Sequence, residues 1–239
     1  MFEIKFWGNS ASKKADYWSA LPKEIHLQEI DQKPSSGFYL FYDQDKLSLG
    51  FSLEELDGFK PLSFDWEDSL YSLKKTMKSY KQESLYKALA LAKNKEALVA
   101  DASLGTGKDS LVMKIMGAQV HSYERNPWVY LLALDAYHRL SSKNGLTLHF
   151  GSIDKPYPFI YFDPMFPEKK KSALPPKEMQ IFKSLVGEDL DQATEAARLL
   201  GFTQKRLLVK RPNWADPILP NPHMNYETKL MRIDAYVVS

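Results

Sequence analysis

The chain has 239 residues, 44% of them hydrophobic and 26% charged, with no cysteine. That is enough chain for one or two domains with a real core, and it excludes a disulfide scaffold, a thiolate-ligated zinc or iron–sulfur centre and a cysteine nucleophile. The net charge of +2 conceals a split: residues 1–73 hold 7 Lys and 13 Asp plus Glu, whereas residues 74–239 carry a net +8 and all six Arg, a balance that suits an anionic partner.

Residues 2–7 open the chain as a short strand. FYLFY (38–42) and LSLGF (47–51) are aromatic-rich and β-prone, joined by Asp43-Gln44-Asp45-Lys46, and predict a hairpin. With another strand near 60–64, residues 1–73 read as a small mixed β, or α+β, N-terminal domain. The basic stretch KKTMKSYK (74–81) reads as a connector with a helix following over about 82–93, so that 74–94 lead into a second domain at 95–239. There the pattern changes. ALVAD (97–101) predicts a buried strand, SLVMKIMG (110–117) a helix closed by glycine, QVHSYE (119–124) a strand and PWVYLLALDAYHRL (127–140) an amphipathic helix. LTLHF (146–150) and FIYFD (159–163) predict strands, 176–185 and 189–200 helices, and KRLLVK (205–210) and MRIDAYVV (231–238) the last strands. Strands alternating with helices predict an α/β fold with a parallel sheet covered on both faces. A proline-rich loop in place of a helix between the last two strands makes one of them antiparallel.

No stretch approaches the ~18–20 apolar residues of a membrane span, and the N-terminus lacks the basic start and apolar run of a signal peptide. A cytoplasmic protein with no membrane partner is expected. The five histidines (26, 121, 138, 149, 223) show no metal-binding spacing, so no metal is expected.

Asp101-Ala-Ser-Leu-Gly105-Thr-Gly107 lies at a strand-to-helix turn, where glycines let the backbone approach a ligand and the helix offers unpaired N–H groups. A phosphate-binding P-loop fails at Ala102 and at Asp109, which follows Gly107-Lys108; a dinucleotide fingerprint is weakened at Ser110. The remaining D-x-x-x-G-x-G resembles the first motif of S-adenosylmethionine (SAM) methyltransferases. Glu124 ends the next strand, 23 residues after Asp101, where an acid can accept hydrogen bonds from a ribose. In FIYFDPMFP (159–167), Asp163 can accept a hydrogen bond from an exocyclic amine, as can the carbonyl of Pro164, and Phe166 can stack on a flat base. The run resembles the [DNS]-P-P-[YFW] motif of amino-group methyltransferases acting on nucleic acids, with Met165 in the second proline position. Lys169-Lys170-Lys171 and Lys210-Arg211 are expected at the same sheet edge, where cations bind phosphates, with Trp214 as a further stacking surface.

The run DPMFPEKKKSALPPKEMQIFKSLVGEDLD (163–191), with VKRP at 209–212, closely resembles the small-subunit ribosomal RNA methyltransferase J family, SAM-dependent enzymes that methylate the exocyclic N2 of one guanosine near the 3′ end of 16S rRNA. The resemblance implies a Rossmann-like class I SAM methyltransferase sheet flanked by helices, SAM as cofactor, and 16S rRNA or the small ribosomal subunit as partner. It also implies cofactor contacts at Lys108, Asp109, Glu124, Arg125, Gly151, Ser152 and Asp163, to which the glycine-turn reading adds Asp101, Gly105 and Gly107, and the strand-end motif places Asp163, Pro164 and Phe166 at the chemistry. The turn here reads DASLGTGKD where the family has DATAGLGRD, and residues 74–83 lack the family connector's glycines and arginines. Methylation of adenine N6 or another flat amine, and a non-catalytic RNA-binding module on the same fold, are the competing readings.

Overall fold

A computed structural model describes residues 1–8, 16–77, 79, 81, 83–166, 176–187 and 190–238. In chain order the elements are β1 (Phe2–Trp7), β2 (Ile25–Ile30), β3 (Gly37–Asp43), β4 (Lys46–Ser52), β5 (Leu62–Ser63), α1 (Trp66–Thr76), α2 (Ser84–Ala88), β6 (Leu98–Asp101), α3 (Lys108–Ile115) and β7 (Gln119–Glu124). There follow α4 (Pro127–Arg139), β8 (Leu146–Phe150), β9 (Tyr157–Phe162), α5 (Lys177–Val186), α6 (Gln192–Gly201), β10 (Thr203–Pro212), β11 (Met224–Glu227) and β12 (Met231–Val237). The backbone groups into two compact units, Met1–Asp65 with Asn126–Arg139 and Lys169–Gly187, and Trp66–Arg125 with Leu140–Glu168 and Glu188–Ser239.

The first unit is a five-stranded sheet in the order β2-β1-β3-β4-β5, together with α4 and α5. The expected hairpin is present as β3 and β4, paired antiparallel from Gly37↔Ser52 to Asp43↔Lys46. Sequence reading missed β2, whose pairing with β1 is parallel and therefore leaves no hairpin signature. Buried Asp135 of α4 accepts hydrogen bonds from the backbone N–H of Leu47 at 3.2 Å and from Arg139 Nε at 2.8 Å. A buried carboxylate with two donors is a satisfied one, and it ties α4 to β4.

The second unit is a mixed seven-stranded sheet in the order β11-β12-β10-β9-β6-β7-β8. Five neighbouring strands are parallel and β12 runs antiparallel to β10, as the helix-free connection before it predicted. From β6 the chain proceeds outward to β7 and β8, and then returns to the other side of β6 as β9. The junction of β6 and β9 is thus the topological switch point, where open α/β sheets bind ligands at strand carboxyl ends. Strand alternation sorts the residues on these strands. Ala100, Ile160, Phe162, Leu207 and Val209 pack with Ala196 and Leu199 of α6 in one buried cluster. Asp101, Tyr161, Asp163 and Lys210 fall on the opposite face, towards α3.

Two expectations need correction. The stretch 74–81, read as a connector, begins inside α1, and the helix expected over 82–93 is confined to α2, with turns after it. Trp66, Leu70, Leu73 and Met77 recur at helical spacing, and two of them, Trp66 and Leu70, are buried; basic residues between them masked that period. β11 also went unread, since its four residues are largely exposed and show no apolar alternation.

Candidate active site

The loop after β6 is held open by its own backbone and by two side chains. Gly107 caps α3 with φ of +83°, a left-handed conformation natural to glycine. A Cβ there would lie 2.5 Å from the ring of Trp66, so the turn also needs glycine for space. Trp66, 1% exposed, donates from Nε1 to the carbonyl of Thr106 at 2.9 Å and fixes the turn from below. Gly105 has φ of +54°, and a Cβ on it would meet only the Ser103 carbonyl, at 3.8 Å. The outer side of the turn is therefore open, as a loop that cradles a ligand requires.

Glu124 closes β7, and its Oε2 accepts the N–H of Gly105 at 3.0 Å. The N–H of Gly151 reaches the Glu124 carbonyl at 2.8 Å, which brings the Gly151–Ser152 turn after β8 to the same edge. Asp101 sits beneath the loop, 1% exposed, accepting from Ser110 Oγ at 2.5 Å and from the Ser103 N–H at 3.0 Å. Burial pushes its carboxyl up to about 6, against the pull of those two donors.

The β9 motif meets this loop directly. Register pairs Asp101 with Tyr161, which sets Ser103 beside Asp163, and the Asp163 N–H donates to Ser103 Oγ at 2.7 Å. On the other flank, Leu208 pairs with Tyr161, so Lys210 comes level with Asp163. Lys210 Nζ donates to Asp163 Oδ2 at 2.9 Å and to Asp109 Oδ2 at 2.8 Å, while Tyr161 Oη donates to Asp109 Oδ2 at 2.6 Å. Two carboxylates thus share one ammonium, and Asp101 lies near enough to feel its charge. Burial alone would lower the Lys210 pKa, but the attraction of Asp163 and Asp109 outweighs it and raises the pKa. Burial raises Asp109, and Lys210 with the bond from Tyr161 more than reverses this, leaving it below the usual value. Asp163 is left with the surplus: burial, opposed by Lys210 and reinforced by repulsion from Asp109 and Asp101, pushes it up to about 7.

Among the expected contacts, Asp101, Gly105, Gly107, Asp109, Glu124, Gly151 and Asp163 fall on these neighbouring strand ends. Lys108 is exposed on the first turn of α3, and Arg125 forms a bidentate ion pair with Asp191 at 2.8 and 3.2 Å. Pro164 is buried, and the Arg211 guanidinium lies over the Phe166 ring, 5.0 Å from its centroid. Lys210 and Arg211, read as phosphate-binding cations, are differently engaged. Lys210 serves the carboxylates, and Arg211, 9% exposed, donates to the Asp216 carbonyl at 2.8 and 3.1 Å and to Gln192. Lys169, Lys170 and Lys171 lie outside the described residues. Sequence reading missed Trp66, Ser103, Tyr161 and the structural use of Lys210, because their partners are 40 to 101 positions away in the chain.

The geometry fits SAM. The open turn at Gly105, the strand-end acid Glu124 and the surplus of negative charge at Asp163 suit the methionine part, the ribose and the sulfonium respectively. No helix among the described residues is long and apolar enough to cross a membrane.

A family profile described as "Putative SAM-dependent methyltransferase" matches residues 23–238. A protein of Tolumonas auensis named ribosomal RNA small subunit methyltransferase J is 33% identical over 92% of this chain and 94% of its own. Relatives of the same name from Bdellovibrio bacteriovorus and Pseudoalteromonas translucida are 39% identical over 66% of this chain and 67% of theirs, and 35% identical over 85% and 86%. The crystal structure of a SAM-dependent methyltransferase from Neisseria gonorrhoeae shares the fold, with a TM-score of 0.70 and 24% identity, covering 99% of this chain and 96% of that one.

Proposed function

This chain belongs to the SAM-dependent methyltransferase family, and from that membership we infer that it methylates the exocyclic N2 of a guanosine in the 16S rRNA of the small ribosomal subunit. The relatives' shared name supports the RNA substrate, and the observation that carries the site is the meeting of the Asp163 strand end with the glycine turn through Ser103. A cytoplasmic location, where ribosomes are assembled, follows from that substrate. We infer an N-terminal domain at 1–73 and a methyltransferase domain from 95, joined by a stretch that carries the end of α1 and all of α2.

Glu124 holds the ribose and the Gly105–Gly107 turn the methionine part. When bound, SAM supplies the methyl: the N2 lone pair takes it as the S–CH3 bond breaks and a neutral thioether leaves, so the nitrogen then carries one proton too many. An aromatic amine is a weak nucleophile because its lone pair is delocalised into the ring. Asp163 accepts one N–H and the carbonyl of Pro164 the other, which favours a pyramidal nitrogen with its lone pair aimed at the methyl. Positioning of this kind supplies roughly 7–11 kcal/mol in ideal cases, and fixed acceptors beside the developing positive charge add to it. The displaced proton passes to Asp163, whose carboxyl, pushed up to about 7, is matched to a base working near neutrality.

The test is purified protein with labelled SAM and small-subunit rRNA, the product mapped by mass spectrometry. N2-methylguanosine at one site is the expected result. Methyl on adenine N6, on DNA alone or on nothing overturns it.

A further inference from the structure

On the α3 face of the seven-stranded sheet, next to Lys210, lies a cavity of about 270 Å³. Its walls are chiefly apolar: Met77 after α1, Met116 after α3, Met231 and Ile233 of β12, and Tyr226 of β11. Glu83, Ser84, Thr228 and Arg232 also border it, and Asp109, Tyr161 and Lys210 bring the charged group of the site to its wall. These are three of the four members of the group that holds Asp163, and Lys210 Nζ spans the remaining 2.9 Å to the Asp163 carboxylate. An occupant whose polar edge meets Lys210 therefore lies beside the carboxylate assigned above as acceptor.

We propose that this cavity receives the target guanine, turned out of the RNA strand, with its hydrogen-bonding edge on Asp109, Lys210 and Asp163. This rests on the reaction proposed above and names where its substrate sits. Size restricts the occupant. The volume is just below the ~300–1,000 Å³ of sites for drug-sized ligands, so it takes one base and not a dinucleotide. Shape and chemistry agree. A flat ring is unstacked at a cost of a few kcal/mol and regains contact between apolar walls, and three thioether side chains adapt to its outline. The donor pattern selects the base. Guanine's edge carries two adjacent N–H donor groups and one carbonyl acceptor. The bonds from Lys210 and Tyr161 all fall on the Oδ2 atoms of Asp109 and Asp163, which leaves the Oδ1 atoms to accept from the two donors, while Lys210 donates to the carbonyl. Adenine would set a ring-nitrogen lone pair against one of the carboxylates, a buried repulsion that disfavours it.

The experiment fills the cavity at its rim. Met231→Trp, Met77→Trp and the volume-conserving Met231→Leu are assayed for SAM affinity by calorimetry, for binding of an rRNA fragment, and for transfer to it. Both tryptophan variants are expected to bind SAM and RNA within about threefold of wild type and to lose transfer by about a hundredfold or more, as misplacement of a reactant does; Met231→Leu, which keeps the volume, is expected to lose far less than Met231→Trp. Tryptophan variants that transfer within threefold of wild type overturn the pocket. Should both unfold, the wild type decides, with a fragment that keeps guanosine at the methylated position and carries fluorescent 2-aminopurine as its 3′ stacking neighbour. Severalfold brightening on binding, as the guanine leaves the stack, is expected, and no brightening overturns the proposal. A wild-type protein that places no methyl on guanosine N2 sinks the reaction; one that does, with unimpaired tryptophan variants, sinks the pocket alone.

Discussion

Two polar clusters are built on the same seven-stranded sheet, on opposite faces, and they handle charge in opposite ways. On the α3 face, Asp109 and Asp163 share Lys210, with Asp101 near enough to feel its charge, so that carboxylates outnumber cations. On the other face, His121, His149, Tyr123 and Tyr157 form a chain of uncharged rings. His149 Nε2 lies 3.0 Å from His121 Nδ1, Tyr157 Oη is 3.1 Å from that same nitrogen, and the two tyrosine hydroxyls are 2.8 Å apart. Burial, with Lys155 nearby, pushes both histidines down, towards the neutral form. Neutral rings stack, with Tyr123 and His149 centroids 4.6 Å apart, and fill space. Only the first cluster stands at strand carboxyl ends with unbalanced charge, and that imbalance is what a cationic cofactor and a protonated product can use.

The sharpest way to break the comparison is one substitution in each cluster. Asp163→Asn keeps the shape and removes the base, and transfer is expected to fall about a thousandfold with SAM affinity changed only a few-fold. His149→Phe keeps a stacked ring, and transfer is expected to stay within twofold. Steady-state rates on rRNA read both. Equal losses would mean that the division between a reactive and a packing cluster is wrong.

Lys210→Met is next in size. It leaves Asp109 and Asp163 facing each other without their cation, so one of them must hold a proton. The base is then protonated at neutral pH. Transfer at pH 7 is expected to drop about tenfold or more, and the acid limb of the rate profile to move up by about one pH unit. Activity should therefore recover as pH rises. A loss independent of pH would assign Lys210 to substrate binding alone. Trp66→Phe is smaller still. It keeps the ring beneath Gly107 and deletes the bond to the Thr106 carbonyl, worth about 1 kcal/mol, so SAM affinity should weaken about fivefold.

These three residues were unequally legible. Asp163 announced itself, since an apolar run ending in an acid before Pro-Met-Phe-Pro is a local pattern. So did the glycine turn and the strands β6, β7 and β8, which are short apolar or alternating runs between breakers. Lys210 was read as a phosphate ligand because its neighbours in sequence are Arg and Pro; its partners Asp109 and Asp163 come to it only through sheet register, 101 and 47 residues away. Trp66 had a signal, the spacing 66, 70, 73, 77, but what the indole supports is 40 residues downstream. Local chemistry is written in the sequence; the charge balance of a site assembled from three strands and a helix is not.

The smallest effect separates the clusters without any substrate. A group raised in the folded state gives stability that is full below its unfolded pKa and is lost as pH rises through the folded value. Asp101, lifted by burial from 3.8 to about 6, therefore makes the protein lose stability as pH climbs from about 4 to 6. The histidines are lowered, so the unfolded chain binds more protons than the native one below about 6.5, and stability is lost as pH falls through their folded values. The two slopes oppose each other and partly cancel in the wild type. Chemical denaturation from pH 5 to 7 should uncover them one at a time. In Asp101→Asn its share of the falling contribution is gone while that of Asp163, raised to about 7, remains, and stability should lose less, or gain more, with rising pH than in the wild type. In His121→Phe with His149→Phe the rising contribution is gone, and stability should decline across the same range. Identical slopes in all three proteins would mean that neither cluster titrates differently on unfolding, and the contrast between a charged face and a neutral one would not survive.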